Sequence, residues 1–155
     1  MKKMNNAKKN DKLLRSTIFV VFALLVIQYI DGMVVNLFTE LPKTHPGVNG
    51  SYAPSIPWAL SGGAGVALAI HVTNWLLLMA IGIFLLILAI KKRRKAFIIG
   101  SSFGFFFILI AASGGLTFLN RGGNDTDSLE MAIAFIFSFI SYAVTLYKTK
   151  NTLYS

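Results

Sequence analysis

The stretch that decides the fold runs from Trp58 to Ile90, WALSGGAGVALAIHVTNWLLLMAIGIFLLILAI, and is followed at once by KKRRK at residues 91–95. Its 33 residues carry no Asp, Glu, Lys or Arg, and its polar side chains are sparse. An uncharged apolar run of this length is the signature of a membrane-crossing helix, and a basic block directly after it marks a stop. As one helix the run would be about 50 Å long, against a hydrocarbon core of about 30 Å. Either the helix tilts strongly, or its outer part protrudes or breaks around Ser61–Gly65 (SGGAG), and protrusion or a kink at those glycines is the expectation.

Three more blocks of the same kind flank it. Spans are expected over 16–38, 58–90, 96–118 and 129–147 of one integral membrane domain covering residues 1–155. The fold class is all-α, a four-transmembrane-helix bundle with a proline-rich outer loop between spans one and two. All four prolines fall in that loop, at 42, 46, 54 and 57, which forbids a continuous helix there. The composition agrees: 55% of the 155 residues are hydrophobic, only 14% are charged and the mean hydropathy is +0.65. Such a chain is too apolar for an ordinary soluble domain.

The net charge of +9 would point to nucleic acid in a soluble protein. Here the basic residues cluster beside the apolar blocks instead. Six precede span one, KKRRK follows span two, and Lys148 and Lys150 follow span four, leaving only Lys43 and Arg121 elsewhere. Most acids lie on the other side. The positive-inside rule then places both termini in the cytoplasm of a multi-pass protein of the cell membrane. Its partner is the lipid bilayer, and nucleic acid is not expected. The basic N-terminus resembles a signal peptide's charged region, but the block after it is too long and lacks a small-residue cleavage site. With no cysteine, disulfides, thiolate metal sites and covalent c-type haem are excluded.

Polar residues inside the spans are the candidates for function, because an ionisable group in hydrocarbon is costly unless it faces a partner or water. Asp31 lies in span one, with Gln28 one turn earlier on the same face. His71 and Asn74 share a face of span two at i and i+3. Counting residues from the basic ends puts Asp31, Asn74 and Ser113 of span three at nearly one depth, with His71 just above. An outer-leaflet layer of Asp31, His71, Asn74, Ser113 and Gln28 could bind a small ligand or relay protons. The bland alternative is interhelical hydrogen bonding. Outside the spans, His45, Glu40, Asn120 and Arg121 are outer-mouth candidates, with His45 read as a solvated loop residue, a cap on the layer or a second ligand. Asp127 and Glu130 have the spacing of a capping box. Gly100 and Gly104 form a GxxxG pair, a packing face through which a homo-oligomer or a larger membrane complex could assemble. SGGAG lacks the Lys-Ser/Thr and the preceding strand of a phosphate loop.

The runs DGMVVNLF (31–38), THPG (44–47), AIH (69–71) and GGLTFLN (114–120) together resemble a group of small bacterial four-span membrane proteins of unassigned function. That resemblance implies an architecture and no activity. More distantly, a histidine on the second of four spans resembles one half of haem A synthase or a cytochrome b-like bundle. This resemblance implies haem b with His71 as an axial ligand. Those bundles place a second histidine on a facing helix, and spans one, three and four have none. Three readings stand: a ligand-binding or proton-relaying membrane protein, a haem- or quinone-binding redox module using His71, and an accessory subunit with no site of its own. No nucleophile–base pair or metal-ligand cluster supports an enzyme.

Overall fold

The computed structural model describes residues 2–150 and the side chains of residues 11–148. Met1 and residues 151–155, part of the expected 1–155 domain, lie outside the described residues. The described residues form five helices in order: α1 (Lys2–Phe38), α2 (Ser55–Leu60), α3 (Val66–Lys91), α4 (Lys95–Asn120) and α5 (Asp125–Lys150). Among the described residues there is no strand.

Among the described residues four segments are long and apolar enough to cross a membrane: Asp11–Phe38, Val66–Lys91, Lys95–Asn120 and Asp125–Lys148. In lipid every backbone N–H and C=O must be satisfied within the segment, which is why apolar runs of this kind become helices. Large apolar side chains such as Phe19, Ile30, Leu37, Ile70, Phe103 and Ile136 stand exposed around the bundle. Water would penalise that belt, and acyl chains would not. The helices run alternately up and down. α1 packs on α3 and α5, and α4 packs on α3 and α5, so the four spans form a closed square. One end, the basic end, carries Asp11 and the α3–α4 turn. The other, the loop end, carries residues 39–54, α2 and the α4–α5 turn.

The expected span over 58–90 is not one helix. Residues 55–60 form the short α2, residues 61–65 are turn, and α3 begins at Val66. Three helix ends then share one construction. After α2 the N–H of Gly63 bonds the carbonyl of Trp58 and that of Gly62 bonds Ala59. After α4 the N–H of Gly123 bonds Phe118 and that of Gly122 bonds Leu119. After α3 the N–H of Arg94 bonds Ala89 and that of Arg93 bonds Ile90. Each is a Schellman cap, whose pivotal residue needs a left-handed backbone. Gly62 (φ 83°) and Gly122 (φ 67°) supply it freely, whereas at the basic end the same place is held by Arg93 (φ 52°). A side chain there costs about 1 kcal/mol relative to glycine.

Packing is tightest between α4 and α5. A Cβ on Gly100 would strike Thr145, and one on Gly104 would come 2.5 Å from the ring of Tyr142. Across the same seam the hydroxyls of Ser138 and Ser141 donate to the carbonyls of Gly104 and Gly100, both at 3.0 Å. The expected oligomer face at Gly100 and Gly104 is thus taken by the chain's own α5. The small residues let two backbones approach until dispersion and serine hydrogen bonds hold them without a hydrophobic driving force. At the basic end, buried Asp11 pairs with Arg94 and ties α1 to the α3–α4 turn.

Two apolar clusters fill the interior. One, around Leu14, Ile18, Leu85, Phe97 and Tyr142, fills the basic half. The other, around Val35, Ala59, Leu68, Val72 and Leu119, closes the loop end.

Candidate functional site in the upper bundle

Asp31 is seven residues before the end of α1, about 10 Å below the loop end. The helical period turns Gln28 and Asp31 toward α3, where His71 and Asn74 face back. Nδ1 of His71 lies 2.6 Å from Oδ1 of Asp31. Asn74 donates from Nδ2 to Oε1 of Gln28 at 2.8 Å and to the Leu24 carbonyl at 3.3 Å. That bond fixes the Gln28 amide and leaves its Nε2 against His71.

The Gln28 Nε2 is 3.1 Å from Nδ1 and 3.0 Å from Nε2 of the imidazole. An atom equidistant from both ring nitrogens cannot lie in the ring plane, because it would collide with Cε1 between them. The amide therefore lies over the ring face, a stacked contact rather than two hydrogen bonds. Asp31 holds Nδ1, and Nε2 keeps its in-plane direction for another partner. A carboxylate behind one imidazole nitrogen is a common way to orient the other. Gly32 makes room: a Cβ there would stand 3.0 Å from Cε1 of His71.

The network is only partly satisfied. Oδ2 of Asp31 is buried without a hydrogen-bond partner, and so is Nε1 of Trp75, one helical turn beyond His71 on α3. An unpaired buried donor or acceptor costs about 1–3 kcal/mol, so such atoms mark a place for a further group.

Beside the network lies a cavity of about 150 Å³, with walls from all four spans and from Ile56 of α2. Its lining is mostly apolar, from residues such as Trp75, Ala111, Ala112, Met131 and Phe135, while Gln28 and His71 supply a polar edge. At its loop-end rim Ser128 donates to Asn36 Oδ1 at 3.1 Å.

Four of the five expected layer residues, Asp31, His71, Asn74 and Gln28, come together. Ser113 does not: its side chain is exposed, and only its carbonyl is engaged, by Thr117 at 3.2 Å. Counting along a helix gives depth but not direction. Ser113 shares the layer's level and faces outward, while its neighbour Gly114 is buried against α5.

The outer-mouth candidates divide as well. His45 is not a solvated loop residue. Its ring stacks on Trp58 (centroids 4.0 Å, 5° between planes), and its nitrogens reach the carbonyls of Leu119 (3.0 Å) and Pro46 (3.1 Å). Asn120 donates to the carbonyls of Gly47 (2.6 Å) and Gly50 (3.1 Å). Both residues fasten the loop and stand apart from the layer's hydrogen bonds. Arg121 pairs with Asp127 at 3.0 Å, and Glu40 is exposed. The start of α5 is capped by Asn124, whose Oδ1 accepts from the Thr126 N–H at 2.8 Å, and Asp127 turns to Arg121 rather than forming a capping box.

Trp75 escaped the sequence reading, although its place four residues after His71 puts it on the same helix face. Among the described residues no three of His, Cys, Asp and Glu gather where a metal ion could sit. Comparison with protein-family models, with curated proteins and with solved structures finds no match.

Proposed function

We propose that this chain is a multi-pass protein of the cell membrane, with both termini cytoplasmic and the loop end outside, that binds a small lipid-soluble ligand in its upper cavity. The observation that carries the reading is the cavity's composition: apolar walls and, at their edge, a histidine oriented by a carboxylate. A void of about 150 Å³ matches the size that accepts a single six-membered ring. The ligand class is therefore a ring or short chain bearing a carbonyl or hydroxyl oxygen. That oxygen meets the polar edge of the cavity at His71 Nε2, which Asp31 orients from behind through Nδ1.

Haem b fits this site poorly. The cavity is far smaller than pockets for drug-sized ligands, about 300–1,000 Å³. The only other histidine, His45, is committed to Trp58 and the loop. Quinone headgroups fall inside the proposed class as binders, with no redox step implied.

The test is fluorescence of Trp75 in a Trp58→Phe protein, titrated with a short-chain benzoquinone and its hydroquinone. Saturable quenching that is lost in Ala112→Phe and weakened in His71→Ala is expected. Quenching that rises linearly and equally in all three proteins would refute the site. Orientation is tested separately. The natural chain has no cysteine, so a Lys43→Cys protein should react with an impermeant maleimide added outside, and Lys92→Cys should not.

A further inference from the structure

We propose that the α3–α4 turn is a docking point for the phosphate of an anionic phospholipid headgroup, with Arg93 as its central cation. The turn joins the ends of two membrane-capable segments, Val66–Lys91 and Lys95–Asn120, and so lies at headgroup level when they cross a bilayer.

Among the helix caps the backbone distinguishes Arg93. Among the described residues three helix ends carry Schellman caps, two of them with glycine at the left-handed residue and one with arginine. Glycine there would relieve the backbone, and the chain uses it at Gly62 and Gly122. Retaining a strained residue is a sign that its side chain has work to do. The neighbouring cations divide the tasks. Arg94 is bound to buried Asp11, and Lys92 is half-buried. Lys91, Arg93 and Lys95 are exposed, as is Lys12, the residue after Asp11 in α1. The Asp11–Arg94 pair thus holds the turn against α1 and leaves alternate residues of KKRRK facing outward. A guanidinium flanked by two ammonium groups matches a phosphate, which takes paired N–H donors from arginine and point charge from lysine.

The charges also suit a topology signal, which acts during insertion. A headgroup contact acts afterwards, so the two separate in purified protein. The experiment reconstitutes the protein in phosphatidylcholine vesicles. It then measures the relative association of spin-labelled phosphatidylglycerol and phosphatidylcholine for the natural chain, Arg93→Gly and Arg93→Lys. The natural chain should prefer phosphatidylglycerol, with a preference that weakens as salt is raised. Arg93→Gly should lower that preference by up to roughly fivefold, the effect of one cation near an anionic surface. Arg93→Lys should keep most of it. Because Arg93→Gly relaxes the backbone, its thermal midpoint should rise, so lost preference cannot come from misfolding. An Arg93→Gly protein with the full preference, or a natural chain with none, would overturn the proposal. So would complete loss of the preference to inorganic phosphate at constant ionic strength, which would assign the turn to a soluble anion.

Discussion

Nδ1 of His71 and Oδ1 of Asp31 stand 2.6 Å apart across the contact between α1 and α3. This bond joins an Asp and a His well inside two membrane-capable segments, and both side chains are largely buried. A bilayer makes the isolated groups costly, yet intramembrane hydrogen bonds average only about 0.6 kcal/mol, because the separated helices find substitutes. Charge assistance puts this pair at the strong end of that range. A double-mutant cycle with Asp31→Asn and His71→Ala should therefore give a coupling of about 1–2 kcal/mol, read from unfolding in mixed micelles. Coupling near zero would mean that the two side chains do not depend on each other.

The α4–α5 seam makes a sharper steric prediction. Gly104→Ala places a methyl 2.5 Å from the Tyr142 ring, which is buried and cannot swing aside. The expected cost is about 1–3 kcal/mol. Gly115→Ala meets only the Met131 sulfur, at 3.3 Å and on a flexible side chain, and should be nearly neutral. Equal unfolding midpoints for the two variants would contradict the packing described for this seam.

How far the sequence revealed this arrangement depends on dimension. Span number and depth are one-dimensional, and hydropathy with charge placement carries them: the four blocks are legible, whereas the excess length of the second block fits a tilt, a kink or a break equally and only the structure separates α2 from α3. Gln28, Asp31, His71 and Asn74 stand out as well, because a polar residue within an apolar run is conspicuous, and their side chains meet in one hydrogen-bonded group. Direction around the helix was not available for span three. Its polar and small residues, from Gly100 to Gly115, are spread around the axis, and nothing local tells Ser113 from Gly114. Trp75 was hidden for the opposite reason. An indole among leucines reads as packing until its N–H is seen to lack a partner. Arg94 lay within a block that reads as pure topology signal, and only its contact with Asp11 separates it from its neighbours.

That contact predicts an asymmetry. Asp11 is buried, while the Arg94 side chain is 35% exposed. Arg94→Ala leaves a carboxylate uncompensated inside the structure, with Oδ1 already lacking a partner. Asp11→Asn leaves a guanidinium that can turn toward water or headgroups. Arg94→Ala should therefore cost more, about 1–3 kcal/mol, and adding Asp11→Asn should recover part of the loss. Equal costs for the two single variants, measured by thermal unfolding in one detergent, would show that burial of Asp11 does not govern the pair.

At the loop end, His45 and Trp58 make a prediction about order rather than chemistry. The parallel rings join the start of the 39–54 loop to α2, and the bond to the Leu119 carbonyl fastens both to the end of α4. Behind the indole sits Gly63, where a Cβ would fall 2.1 Å from Nε1 of Trp58, so the turn after α2 closes directly on the ring. His45→Ala removes the stack and the hydrogen bond together, a loss of about 1–2 kcal/mol. His45→Phe keeps the stack alone and should fall between. The loss is local, since the main apolar cluster lies in the other half of the bundle. It should appear as faster proteolysis within residues 39–54, with red-shifted Trp58 emission in a Trp75→Phe background and little change in the global unfolding midpoint. If His45→Ala leaves the loop as resistant as before, the two Asn120 hydrogen bonds to Gly47 and Gly50 hold it by themselves. Asn120→Ala would then be the variant that frees it.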